Sequence, residues 1–288
     1  MAITMGDAGE NHIGMEMLGE FGKKGSGFTI EDLKNLKKYY KEKDVKVKYL
    51  SFTLENNGEK HEAGVLILRN YLNEKKQKKI YNELKDLHWD KEYYDTRRKK
   101  VLNKHARYNL MLLHGIKQKA DYKNKKGTII DINDLDEFNK FKKKLTTNIN
   151  KICNNKAENL IAEGNRYFDL KQCGISNHGD SERRKVICLS LGVDNYKMTW
   201  TWFYHNKPIS KSFEIFLNSG DVYIMSEKAV GTDCKHSSIP TMRHAAGCRK
   251  YTNLDKYDEK LQEKKKLEKE KKKLEKENKL KKEKNNKK

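Results

Sequence analysis

Between residues 165 and 247 the chain breaks into short apolar runs separated by turn-forming residues. That rhythm limits the fold more than any other feature. NRYFDLKQCG, RKVICLSLG, KMTWTWFYH, SFEIFLNSG, DVYIMS and PTMRHAAG are rich in aromatic and β-branched residues, which suit a pleated surface. Several short strands at this spacing predict a barrel or a sandwich. Pro208 falls between two of these runs and Pro240 opens the last.

Upstream, YLSFTLENNGEKHEAGVLILRNYL (residues 49–72) reads as two strands around the turn Asn56-Asn57-Gly58. A helix follows in NEKKQKKIYNELKDLHW, with Asn73 as its N-cap and Ile80, Leu84 and Leu87 at helical spacing. A second helix is expected within residues 132–162. Residues 1–45 read as a Gly-rich leader at the periphery, with a short helical pattern in FTIEDLKNLKKYYKEKD and Thr29 as a cap. The fold class is therefore α+β with a mainly β core. The globular domain is placed at 46–254, and residues 255–288 form a charged helical tail. In that tail Leu261, Leu267, Leu274 and Leu280 make a seam too thin for a coiled coil. Glu–Lys pairs four apart favour a solvated helix there.

The formal net charge is +22. The tail carries only part of it, so the body is basic as well, which suits a polyanion such as nucleic acid. A general lysine bias would give the same balance. Residues 90–125 sharpen the question, because arginine and lysine alternate there with tyrosine and histidine. Cations pair with phosphates and rings stack on bases, so Arg97 and Arg98 are candidate substrate contacts. A solvated basic hairpin is the plainer alternative.

Five cysteines, Cys153, Cys173, Cys188, Cys234 and Cys248, include no Cys-x-x-Cys pair. The start MAITMGDAGENHIGM lacks the apolar stretch of a secretion signal, and no run of about 18 apolar residues could span a bilayer. These features predict a soluble protein of a reducing compartment, cytoplasm or nucleus, with free thiols.

GISNHGDSERRKVICLSLG places His178-Gly179-Asp180 just before an apolar strand. In an extended segment, residues two apart point to the same side, so both side chains can reach one metal ion. Two histidines and a carboxylate on one face make the site of non-haem Fe(II) oxygenases. The second histidine must come from a distant strand. His244 in TMRHAAG is favoured, and His236 is the alternative. The plain reading of His178 and Asp180 is a polar turn. Trp200, Trp202 and Tyr204 alternate along one strand and share a face, as core or pocket wall; Trp202 is carried as a substrate candidate. Arg183 and Arg184 follow the His-x-Asp loop, where they could meet a phosphate or be solvated.

These residues carry a resemblance. Asn165-Arg166-Tyr167, His178-Gly179-Asp180, the strand ending Ser190-Leu191-Gly192, and Gly220-Asp221-Val222 occur in the order seen in 2-oxoglutarate/Fe(II) dioxygenases. Within that superfamily the chain resembles the AlkB-like branch, with a likeness to uncharacterised members from large DNA viruses. VLILRNYLNEKKQKKIYNELKDLHW resembles the family's opening strand and helix, so the likeness spans about residues 65–254. It implies a double-stranded β-helix (a jelly-roll, cupin-like core) over residues 165–254, supported by N-terminal helices. It also implies Fe(II) and 2-oxoglutarate as cofactors, with succinate and CO2 as co-products. Asn165 and Tyr167 would hold 2-oxoglutarate, and Arg243 or Arg249 would clamp its far carboxylate. A viral member would act in an infected host cell. The spacing of His236 to Arg249 keeps the family pattern, whereas His244 departs from it. The implied activity is oxidative demethylation or hydroxylation on nucleic acid. A protein side-chain hydroxylase on the same core and a non-catalytic nucleic-acid-binding barrel are the alternatives.

Overall fold

Gly64–Leu68 and Val186–Ser190 are buried along their whole length, as strands are when both faces of their sheet are covered. That observation sets the architecture. The computed structural model describes residues 1–41, 44–54, 58–259, 262–263, 266–267 and 270. In chain order the strands of its two principal sheets begin with β1 (Ala2–Gly6), β2 (Val45–Tyr49), β3 (Gly64–Leu68), β4 (Tyr108–Leu113), β5 (Ile129–Asp131) and β6 (Ile161–Arg166). They continue with β7 (Gly174–His178), β8 (Val186–Ser190), β9 (Tyr196–Tyr204), β10 (Lys207–Pro208), β11 (Phe213–Leu217), β12 (Val222–Met225) and β13 (Thr241–Gly247). The helices are α1 (Ile30–Tyr39), α2 (Glu74–Lys85), α3 (Asp136–Ile152), α4 (Glu227–Val230) and α5 (Arg249–Thr252).

The first sheet has eight strands in the order β5-β4-β6-β1-β8-β12-β3-β2, antiparallel except for the β4/β5 pair. The second runs β7-β13-β9, with β10 and β11 both paired to β9. Alternation along each strand of the first sheet divides its side chains between two cores. Ile3, Met5, Leu66, Leu68, Ile187, Leu189, Val222 and Ile224 share one core with Leu33 and Leu36 of α1, Ile80 and Leu84 of α2, and Phe138, Leu145 and Ile149 of α3. Val65, Ile67, Val186, Cys188, Tyr223 and Met225 face the other way, onto Met198, Trp200, Trp202, Ile215, Leu217 and Met242 of the second sheet. The result is three layers, helices on sheet on sheet, in an α+β protein dominated by curled β-structure. The helix ends follow their sequence signals. Asn73 caps α2 by accepting from the Lys76 N–H at 3.0 Å, and Thr29 with Asp32 closes a capping box on α1.

Residues 1–45 are not a peripheral leader. β1 lies in the middle of the first sheet, between β6 and β8, and Ile3 and Met5 are fully buried. The first residues therefore belong to the domain: Met1–Thr252 form one unit and Asn253–Lys288 another. AITMG is only five residues long, with Ile3 and Met5 as its large apolar side chains, yet it is flanked by strands 155 or more residues away in sequence, a pairing no local pattern announces. Met5→Ala is accordingly expected to cost about 2–3 kcal/mol, as truncation of a buried side chain does, where a residue in a peripheral leader would cost under about 0.5 kcal/mol. Urea denaturation followed by far-UV circular dichroism measures the difference.

The stretch 90–125 also divides. Its start is a half-buried antiparallel ribbon, Glu92–Asp95 against Lys100–Asn103, but Tyr108–Leu113 is a core strand. In the tail, the one regular piece with full description is a short 3-10 turn, Asp255–Tyr257. Leu261, Leu274 and Leu280 of the expected seam, like Asn56 and Asn57 of the expected turn, lie outside the described residues. No helix among the described residues is long and apolar enough to cross a membrane, and all five cysteines are free thiols.

Candidate metal centre

β7 and β13 run antiparallel and bring His178 directly opposite His244. Their rings sit 4.3 Å apart between centroids. A register irregularity between Ile175 and His178 turns the end of β7, and the chain then doubles back so that Asp180 joins the two rings. Asp180 Oδ1 lies 3.2 Å from His178 Nε2 and 3.8 Å from His244 Nε2. One ligand atom from each residue falls within 4.8 Å of the others, the grouping a single ion needs.

Local backbone contacts hold this geometry. The Asp180 N–H donates to the Val230 carbonyl at the end of α4 (3.1 Å). Gly179 packs so closely on Gly231 that an added Cβ would lie 2.1 Å from the Gly231 carbonyl oxygen. The middle residue of His-Gly-Asp is thus fixed by space. His178 Nδ1 faces the carbonyl oxygens of Ser176 (2.8 Å) and His244 (3.0 Å). Two acceptors there place the proton on Nδ1 and leave the Nε2 lone pair directed at the other two ligands.

The protonation states also suit a cation. Burial lowers the His244 pKa to about 3, with His178 and Arg183 adding to the effect against the attraction of Asp180. That imidazole is neutral at neutral pH. Burial opposes ionisation of Asp180, but its interactions with His244, His178 and the Arg183 guanidinium outweigh that and hold the carboxyl well below its usual range. A divalent metal requires deprotonated donors, and an unprotonated His244 with an ionised Asp180 meets that requirement.

A cavity of about 710 Å³ opens beside the three ligands, between the two sheets. Its size falls within the roughly 300–1,000 Å³ range of small-molecule sites. Asn165 and Tyr167 line it, as expected. Burial pushes the Tyr167 phenol up to about 12, so it remains a hydrogen-bond donor. The Asn165 side chain is already committed. Its oxygen accepts from Arg107 Nε (2.6 Å) and Asn109 Nδ2 (2.8 Å), and its nitrogen donates to Glu163 (3.1 Å).

The other expected site residues are elsewhere. His236 is exposed and stands outside the ligand group. Arg243 alternates with His244 on β13 and so points away from the cavity; it stacks on Phe203 at 4.5 Å and donates to Asn206 at 2.6 Å. Arg249 is exposed on α5 and does not line the cavity. Trp202 is fully buried in the core between the sheets, its Nε1 donating to the Leu50 carbonyl at 2.7 Å, so it contacts no substrate. Arg184 is held by Glu227 (2.8 Å) and the Gly22 carbonyl (2.7 Å). Arg183 does line the cavity but is 4% exposed and locked to Glu163 at 2.6 Å. Its Nε sits 3.8 Å from Asp180 Oδ2, so the guanidinium is placed beside the Asp180 carboxylate. Arg97 and Arg98 are exposed at the tip of the ribbon.

Two residues of the site lack a sequence signal. Glu163 is buried and anchors Arg183. Arg107 lines the cavity; its Nε is bonded to Asn165, and no hydrogen bond of its two terminal nitrogens is seen among the described residues. Arg166, by contrast, spends a terminal nitrogen on the Lys85 carbonyl (2.8 Å).

No family model matches the chain. Over 259 residues it is 38% identical to the uncharacterized protein R156 of Acanthamoeba polyphaga mimivirus, covering 87% of this chain and 96% of the viral protein. The chain belongs to the family of that viral protein.

Proposed function

We propose that this member of the mimiviral family is an iron(II)- and 2-oxoglutarate-dependent dioxygenase that oxidises a C–H bond in nucleic acid. The observation that carries the reading is the ligand set itself. His178, Asp180 and His244 each bring one donor atom to the wall of a single cavity and would hold one ion there. Two imidazoles and one carboxylate with open positions suit non-haem iron(II). The strand path supports the same reading. Strands β6, β7, β8 and β9 alternate between the two sheets, and β11, β12 and β13 return in the same manner. That alternation supports the reading of an eight-stranded jelly-roll core, in which β1 would take the place of the eighth strand between β6 and β8.

When bound, iron(II) with 2-oxoglutarate would supply oxidative C–H cleavage, with succinate and CO2 as co-products. The chain's residues prepare the site for it. Burial between the sheets keeps His244 unprotonated, and Arg183, itself held by Glu163, lies beside Asp180 Oδ2 while Oδ1 faces the two histidines. Arg107 takes the part expected of Arg243 or Arg249. It offers paired terminal N–H groups to a dicarboxylate inside the cavity, while Asn165 fixes its Nε. Tyr167 adds a neutral donor. A buried carboxylate on a guanidinium forms strong, directional hydrogen bonds.

Anaerobic titration with Fe(II) and 2-oxoglutarate tests the reading through the weak visible charge-transfer band of the ternary complex. The wild type should give the band, and Arg107→Gln should weaken 2-oxoglutarate binding by roughly 10–100-fold, the loss of one or two charge-assisted hydrogen bonds. A folded, metal-loaded wild type without the band would end the oxygenase reading. A band in Arg107→Gln at unchanged 2-oxoglutarate concentration would remove Arg107 from the site.

A further inference from the structure

The ribbon of Glu92–Asp95 and Lys100–Asn103 pairs Tyr93 with Leu102, Tyr94 with Val101 and Asp95 with Lys100. Its turn carries Arg97, Arg98 and Lys99, and Lys100 follows at once. All four side chains are exposed. Among the described residues none of the four side chains has a carboxylate partner, although the Arg98 backbone N–H donates to the Asp95 carboxylate at 2.7 Å. Other surface lysines have one: Lys79 with Glu137 at 2.8 Å and Lys117 with Asp134 at 2.7 Å. Four successive unpaired cations repel one another, so the turn holds an electrostatic cost that an anion would relieve. Lys125, whose Nζ lies 5.9 Å over the Tyr94 ring, adds a fifth positive charge to the ribbon's flank.

The ribbon is also placed against the metal cavity. Its Tyr93 ring stacks on His12 at 3.7 Å and an interplanar angle of 19°. Thr96 abuts Gly14, where an added Cβ would lie 2.9 Å from the Thr96 methyl. His12 and Ile13, between these two contacts, line the metal cavity, and Ile13 is 80% exposed. Lys235 contributes a further exposed ammonium to the lining. The ribbon that carries the four cations thus packs, through Tyr93 and Thr96, against the segment 12–14, whose His12 and Ile13 line the cavity.

We infer that the ribbon tip grips the phosphate backbone of a polynucleotide strand while an adjoining nucleotide passes Ile13 into the cavity. The inference rests on the nucleic-acid half of the proposed function and not on its iron chemistry. A polynucleotide fits because it repeats anionic groups along one edge and carries a flat, partly apolar base beside each of them.

The test is fluorescence anisotropy of metal-free protein with a labelled single-stranded DNA oligonucleotide across a salt series. Arg97→Gln/Arg98→Gln/Lys100→Gln is compared with Lys75→Gln/Lys76→Gln/Lys78→Gln, which removes the same charge from exposed positions of α2. The ribbon variant should bind at least about 10-fold more weakly at moderate salt, and its log K against log salt slope should shrink by about 0.7 for each phosphate it no longer neutralises. The α2 variant should change by less than about 2-fold. Equal weakening of both variants, or none in the ribbon variant, overturns the inference. So does displacement of the oligonucleotide by polyglutamate of matched charge, which would assign the surface to acidic protein. Ribbon-dependent binding in a protein that shows no charge-transfer band would sink the oxygenase reading and leave this one standing. The band without ribbon-dependent binding would do the reverse.

Discussion

His244→Ala is expected to weaken divalent-metal binding by more than about 100-fold, while His236→Ala leaves it unchanged. Cobalt(II) titration followed by visible absorption reads both variants directly. The reason is positional. His244 Nε2 belongs to the group with His178 Nε2 and Asp180 Oδ1, whereas His236 lies on an exposed loop apart from it. Outer partners of a metal ligand already change affinity by roughly 10–100-fold, so loss of a ligand in a three-ligand site must exceed that. His178→Ala and Asp180→Ala should match His244→Ala. Stability supplies a second readout. A metal at 100 times its dissociation constant adds about 2.7 kcal/mol to a protein that binds it only when folded, and that increment should vanish in the three ligand variants alone. Metal binding that survives in His244→Ala, or fails in His236→Ala, would show that the loop 231–240 reorganises to bring His236 in.

This choice between histidines shows where local sequence stops being informative. His236 keeps the family spacing to Arg249, whereas the strand character of TMRHAAG favours His244, so the two cues in the sequence are opposed. The structure measures across strands instead, and β13 places His244 directly opposite His178. The strands themselves are legible, because KMTWTWFYH, RKVICLSLG and PTMRHAAG carry their β-propensity locally. Asn73 and Thr29 are legible for the same reason, since a cap acts within one helical turn. β1 is not, because its partners are remote. Nor is the fate of the arginines. Arg183 beside Glu182 and Arg184 reads as a solvated basic pair, and only the fold brings Glu163 to within 2.6 Å of it. Arg107 sits in a stretch crowded with cations, and its distinction lies in facing a cavity whose walls come from β6, β7 and β13. Asp221 shows the opposite case. The Gly-Asp pair before β12 reads as part of a catalytic family pattern, yet its fully buried carboxylate serves the fold by accepting from Arg69, the Asn70 N–H at 2.9 Å and the Asn218 N–H at 2.8 Å.

Gly179→Ala is expected to cost more than about 4 kcal/mol and to abolish metal binding, although it leaves every ligand in place. Gly179 does not need a left-handed backbone; what it lacks is room. An added Cβ would meet the Gly231 carbonyl oxygen at 2.1 Å and the Cys234 Cβ at 2.6 Å. Neither obstacle is the far end of a flexible side chain. Gly231 is fixed in turn, with a φ of +74° at the end of α4 and its own Cβ position 2.3 Å from the Met242 carbonyl oxygen of β13. Three segments of backbone, the His-Gly-Asp loop, the end of α4 and the strand bearing His244, are therefore stacked with no spare volume. Overpacking of a tight core usually costs about 1–3 kcal/mol when side chains can shift, and here backbone would have to move. Gly25→Ala is the control. Gly25 has a φ of +84° and nothing within 4 Å of an added Cβ, so only the left-handed penalty of about 1–2 kcal/mol applies. Chemical denaturation and cobalt(II) titration of both variants separate crowding from backbone strain. A Gly179→Ala protein as stable as Gly25→Ala and still able to bind cobalt(II) would mean that the Gly231 turn can yield, and that the tight stack of backbone is not what holds Asp180 beside the two histidines.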